Sequence, residues 1–161
     1  MPYLLRKIRR ARWDPELTKE IPGLASNECP SDCLADLNTA ECSLSLWQID
    51  DDRSNLEDVV IALGSNCDRI ANLDYALIDR EKVEAISVLK KTVGQSPHNV
   101  ANDSWHWDLI GLSAKRLRQL AELMYGEAAR VRITGKEIGN LVQRALDKQQ
   151  LDRTRFKIRF G

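Results

Sequence analysis

Residues 43–79 constrain the fold more than any other stretch, because SLSLWQIDDDRSNLEDVVIALGSNCDRIANLDYALID reads as strand, helix and strand in order. Ser45, Trp47 and Ile49 alternate with Leu44, Leu46 and Gln48, the two-residue period of a strand covered on both faces. Asp50, Asp51 and Asp52 end that run. Ser54 and Glu57 have the spacing of a capping box, and Leu56, Val59, Val60 and Leu63 follow at helical intervals. Gly64 and Asn66 stop the helix, and Tyr75 to Ile78 form a second apolar run closed by Asp79. Two strands joined by one helix predict a right-handed parallel crossover. The expected class is therefore α/β or α+β, with a small mixed sheet built on a parallel strand-helix-strand unit at 43–79.

The flanking segments add a strand and several helices. Tyr3 to Trp13 is apolar and strongly basic; a charged edge strand is the expectation, since edges tolerate charge. Residues 14–27 carry Pro15, Pro22 and Gly23 and read as a loop, followed by a short helix opening at Pro30. REKVEAISVLKK, from Arg80 to Lys91, has the spacing of an amphipathic helix. Gly94 to Asn102 is rich in turn formers and marks an internal boundary within what length alone makes one domain, 1–161. Trp105, Leu109 and Leu112 share a helical face, although Trp107 to Ile110 also fits a strand. A helix-rich C-terminal part follows, with helices over 113–125 and 135–149, the second opened by Thr134 and Glu137, and a short extended piece at 130–133 before it. Phe156, Ile158 and Phe160 alternate with Arg155, Lys157 and Arg159, which predicts a basic terminal strand.

Charge is the feature that bears on function. The net charge is zero, yet residues 1–13 hold five basic and no acidic side chains, residues 14–79 three basic and fifteen acidic, and residues 80–161 sixteen basic and nine acidic. Such segregation suits self-attraction, head-to-tail association or an anion-binding surface. No apolar run is long enough for a membrane span, and the N-terminus lacks the apolar core of a signal peptide, so a cytoplasmic protein without membrane contact is expected. Cys29, Cys33, Cys42 and Cys67 are then reduced thiols, and only the first two approach metal-ligand spacing.

Three constellations could carry chemistry. Asp50, Asp52 and Asp79 follow the two strands of the crossover, where carboxylates can hold magnesium, although aspartate is also an ordinary turn residue. His106, between Trp105 and Trp107 and before Asp108, has the surroundings of a general base, but no nucleophile motif or glycine-rich phosphate loop accompanies it; a packing cluster is expected, and no cofactor. The basic ends offer Arg6, Lys7, Arg9, Arg10, Arg155, Lys157 and Arg159 to phosphates. The first expectation is a nonenzymatic binding or accessory subunit of a bacterial-type cytoplasmic assembly, engaging a protein partner or a second copy of itself through its segregated charges. A nucleic-acid-binding protein using the basic ends is the alternative. A magnesium-dependent nuclease or phosphatase comes third.

Overall fold

The computed structural model describes residues 1–14 and 21–158. Its architecture follows from Tyr3–Ile8, strand β1, in which the adjacent side chains Leu4 and Leu5 are both 0% exposed. Neighbouring strand residues point to opposite faces, so a strand with both buried needs cover above and below. β1 accordingly lies inside the sheet, between Leu44–Ile49 (β2) and Leu73–Asp79 (β3), and the expected edge strand is corrected. Leu5 is opposite Trp47 on one side and Leu77 on the other, both pairings antiparallel.

That placement also corrects the parallel crossover. β2 and β3 run in the same direction and are joined through α3 (Leu56–Ser65), but β1 fills the slot between them and pairs with each. The unit is a split strand-helix-strand arrangement in an α+β fold, and the sheet is antiparallel throughout. Its order is β4-β5-β2-β1-β3-β6, where β4 is Val88–Lys91, β5 His106–Ile110 and β6 Ala129–Ile133. Both edges carry the cations that discourage pairing with another chain: Lys90 and Lys91 on β4, Arg130 and Arg132 on β6. Arg132 forks onto both carboxylate oxygens of Asp74, at 2.7 and 2.9 Å.

Helices cover both faces. Leu5, Trp47, Ile49, Tyr75 and Leu77 pack under α3, α5 (Asn99–Trp105) and α7 (Gly135–Asp147). Leu4, Ile8, Leu44, Leu46 and Ile78 pack under α1 (Arg10–Trp13), α2 (Ser31–Asp36), α4 (Arg80–Glu84) and α6 (Ala114–Glu127). α3 and α7 touch so closely at Gly64 that a β-carbon there would lie 2.7 Å from Ile138 Cγ2.

The caps are partly as expected. Thr134 and Glu137 form the reciprocal capping box of α7, and Ser113 caps α6 by accepting from the Arg116 amide. α3 is different: Asn55, not Ser54, stands at its start, and its side chain accepts from the Asp50 amide and donates to the Gln48 carbonyl, tying the turn to β2. Residues 80–91, read as one helix, divide into α4 and β4, because β5 offers Val88–Lys91 a backbone partner that periodicity cannot reveal.

The basic terminal strand is the other correction. Arg153–Arg155 is a turn of 3-10 helix, and no strand is present over the described residues 156–158; Arg159 and Phe160 lie outside the described residues. Phe156 and Ile158 still turn into the core under α3 and α7. Alternation reports only that every second side chain is buried, and an extended segment laid on helices satisfies it as well as a ladder does.

Candidate anion-binding cleft

The side chains of greatest interest gather where β1 and β2 part. Their ladder ends at Leu5 opposite Trp47, and beyond it Arg6 Nη1 donates to the Ser45 carbonyl at 3.0 Å, so a guanidinium takes the place of a backbone donor. A cleft of about 810 Å³ opens at this end of the sheet. Its cationic lining is Arg6, Lys7, Arg9 and Arg12, from the end of β1 and from α1. The remaining lining includes Asn66, Gln95, Ser96, His106 and Trp47.

Local chemistry sets each part. Asp36, at the end of α2, accepts from the Arg9 amide at 2.8 Å and from Trp13 Nε1 at 2.7 Å, both on Oδ2, which fixes α2 against α1 and directs the cationic wall. Asp108 accepts from Ser45 Oγ at 3.0 Å. The two acids of the cleft are thus engaged internally, whereas Lys7, Arg9 and Arg12 form no ion pair among the described residues. Burial pushes the Arg6 guanidinium below its ordinary value, with Asp36 opposing the shift, and Arg6 Nε is buried with no hydrogen-bond partner in the described structure. A desolvated cation next to three uncommitted ones is an arrangement that an anion stabilises.

Opposite, Gly94 lies so close to the Trp47 ring that a β-carbon would meet Trp47 Cη2 at 2.9 Å and Asn102 Oδ1 at 2.7 Å. Asn102 holds the loop by accepting from the Ser96 amide and hydroxyl and donating to the Ser96 carbonyl. His98 links the same region to α3: Nδ1 accepts from the Ala101 amide, which leaves Nε2–H to donate to Asp58 Oδ1 at 3.2 Å.

Of the basic candidates, Arg6, Lys7 and Arg9 come together here. Arg10 turns away to Asp14 at 3.3 Å, Arg155 sits 3.8 Å from Asp152, Lys157 is not part of the cleft lining, and Arg159 lies outside the described residues. Arg12 is the member that sequence reading left out. Its signal was its place three residues beyond Arg9 once α1 is known to be helical, since such residues share a face.

The acidic candidates lie at the other end of β1, where Tyr3 is opposite both Ile49 and Asp79. The Asp50 amide is taken by Asn55, Asp52 accepts from the Ser54 amide, which lowers its carboxyl, and Asp79 is 3.6 Å from Lys82. Among the described residues no group of three or more His, Cys, Asp or Glu side chains is placed to hold a metal.

His106 meets Thr92 rather than Asp108: its Nδ1 lies 2.7 Å from Thr92 Oγ1, and its ring stands edge-on to Trp47 at 4.9 Å. Burial pushes the imidazole below its ordinary value of 6.5, only partly offset by Asp108. The unfolded chain therefore binds this proton before the native one does, so stability falls as pH drops through about 6.5 and is restored as pH rises. Urea unfolding at pH 7.5 and 5.5 should show a loss at the lower pH that shrinks in His106→Gln; equal losses in both proteins would remove this assignment. Trp107 faces the opposite side of the sheet, with the Arg80 guanidinium 4.3 Å from its ring centroid.

No helix among the described residues is long and apolar enough to cross a membrane. Comparison with protein-family models, with curated proteins and with solved structures finds no significant match, so the functional reading rests on the geometry of the cleft.

Proposed function

We propose that this protein is a nonenzymatic binding protein whose cleft takes the phosphates of single-stranded nucleic acid. The observation that carries this reading is the wall of Arg6, Lys7, Arg9 and Arg12, three of them without an ion-pair partner among the described residues. Lys7 and Arg9 are two residues apart along an extended chain, roughly 6.6 Å, which is close to the separation of successive phosphates on a stretched strand. A recess of about 810 Å³ accepts a few unpaired nucleotides but not a duplex. Trp47 is 7% exposed and His106 9%, which leaves little ring face for base stacking. Recognition is then of backbone charge, independent of base sequence.

The test is anisotropy of labelled oligothymidylate and of a mixed-sequence strand with the whole chain, across a salt series. Both strands should bind alike at low salt and release steeply as salt rises. Absence of binding at low salt would end the proposal.

One observation favours a second reading, association with a protein partner or with a further copy. Asp50, Asp51, Asp52 and Asp79 gather at the end of β1 away from the cleft, roughly 20 Å from it. At that end Asp51 meets the Met1 ammonium and Asp79 meets Lys82, whereas Asp50 and Asp52 have no ion pair among the described residues. Head-to-tail contact between copies should appear in sedimentation velocity as association at low salt that dissolves at high salt. A monomer at every concentration and salt would remove the self-association form of this reading.

A further inference from the structure

One group bordering the cleft carries a charge that is not fixed near neutral pH. His106 opens β5 opposite Trp47 of β2 and belongs to the cleft lining. Its Nδ1 is occupied, 2.7 Å from Thr92 Oγ1, whereas its Nε2 has no hydrogen-bond partner among the described residues. The side-chain atoms sealed from solvent without a partner there are Arg6 Nε and Trp107 Nε1. His106 Nε2 is not one of them, so it keeps an open edge, and the space that His106 borders is the cleft.

We propose that His106 is a proton-dependent ligand of the bound phosphate: an anion entering the cleft draws a solvent proton onto the imidazole, and Nε2–H then donates to a phosphate oxygen. This rests on the binding reading above and adds to it the regulation of the site by pH. The contact with Thr92 is what admits the proton. A hydroxyl both donates and accepts, so Thr92 serves the neutral ring by donating to Nδ1 and the charged ring by accepting from it. His98 lacks that freedom, because its Nδ1 faces the Ala101 amide, which can only donate, and its Nε2 is turned to Asp58.

The charges around the ring decide the sign. On β5 itself Asp108, two residues along, favours the imidazolium, but it is engaged by Ser45 of β2. On β4 Lys90 is exposed opposite Asp108, and Lys91 is directed to the Ser104 carbonyl and Trp107. On α5 the acid is Asp103, exposed and outside the cleft lining. Arg6, Lys7, Arg9 and Arg12 border the same cleft, with Asp36 beside them. Without a ligand, burial outweighs Asp108 and the imidazole lies below its ordinary value. A phosphate seated in the cleft supplies the missing negative charge, so the ring holds its proton more tightly in the complex than in the free protein. Affinity therefore rises as pH falls through the midpoint of the complex and levels off below the midpoint of the free protein.

The test uses the whole chain and follows the His106 ring protons by NMR, assigned through the backbone, across a pH series with and without oligothymidylate. The strand carries no terminal phosphate, so its own charge stays constant. Anisotropy on the same strand runs in parallel at constant ionic strength. The midpoint of His106 should rise by about one pH unit in the complex, and affinity should rise about fivefold from pH 7.5 to 5.5, within the limit of about tenfold per unit that one proton sets. His106→Gln, neutral at every pH, should flatten the affinity profile. An unshifted midpoint with a strand that binds, or a profile that stays as steep in the variant, would overturn the proposal. If no strand binds at any pH, the binding reading falls on its own, and His106 is then judged with inorganic sulfate against chloride at matched ionic strength. A midpoint raised by sulfate supports its role as an anion ligand, and a midpoint left in place overturns it.

Discussion

Trp13→Ala is expected to lower the unfolding free energy by about 3–5 kcal/mol, the range for removing a large aromatic side chain from a core. Trp13 is 1% exposed and packs in the same core cluster as Cys33 and Leu37. It is also the buried anchor of α1, a helix of four residues that is too short to persist without tertiary support. Two losses combine in the variant: the cavity, and the donor that Asp36 Oδ2 receives from the indole at 2.7 Å. Trp13→Phe separates them, keeping most of the volume and removing the donor; its cost should be smaller, about 1–2 kcal/mol. Urea denaturation with an unchanged m-value would measure both. A loss below about 1 kcal/mol in Trp13→Ala would show that the site collapses freely and that α1 is not held as described.

The second large effect concerns the cleft. Four phosphate contacts to an unpaired strand should give a slope of log affinity against log salt of about −2.8, each contact adding roughly 0.7. The triple variant Lys7→Ala, Arg9→Ala, Arg12→Ala should reduce that slope to about −0.7 and remove measurable binding at physiological salt. Lys7 and Arg9 are exposed and Arg12 half-buried, so the substitutions should leave the fold intact, as the circular dichroism spectrum of the variant can verify. Arg10→Ala is the matched control, because Arg10 is directed at Asp14 and not into the cleft. A triple variant that binds as well as the parent, or an Arg10→Ala variant that loses as much, would mean that the wall is not where phosphates sit.

What could be read in advance divides along a physical line. The strands at 44–49 and 73–79, the helix between them, the α6 helix and the Thr134 capping box all announce themselves through contacts within a few residues, which periodicity and capping chemistry report directly. Val88–Lys91 did not, because its strand exists only through the ladder to His106–Ile110. The misreading of Tyr3–Ile8 as an edge has the same origin. Arg6 and Lys7 look like edge charges, whereas they occupy the point where the central strand leaves β2, and the apolar pair Leu4 and Leu5 was the stronger signal for an interior position.

The candidate site was partly legible for related reasons. A run of five cations in thirteen residues points to the N-terminus as an anion-binding element. Which of them act together depends on Asp14 diverting Arg10, on Asp36 fixing Arg9 and Trp13, and on the turn of α1 that brings Arg12 round. The aspartates at the ends of β2 and β3 show the converse. Their sequence position suggested a shared site, whereas the structure gives the Asp52 and Asp79 carboxylates separate local partners and ties Asp50 by its backbone amide.

By itself the sequence determined the elements whose stabilising contacts are local, the amphipathic faces that had to be buried, and the segregation of charge along the chain. Only the tertiary structure decided that β1 separates the two strands of the crossover, that the C-terminal alternation packs on helices over its described part, and that Arg6, Lys7, Arg9 and Arg12 share one cleft. The reason is that strand order, and the convergence of side chains from different elements, are set by which apolar faces best cover one another across the whole chain. A period of two or of 3.6 residues specifies a buried face but not its partner.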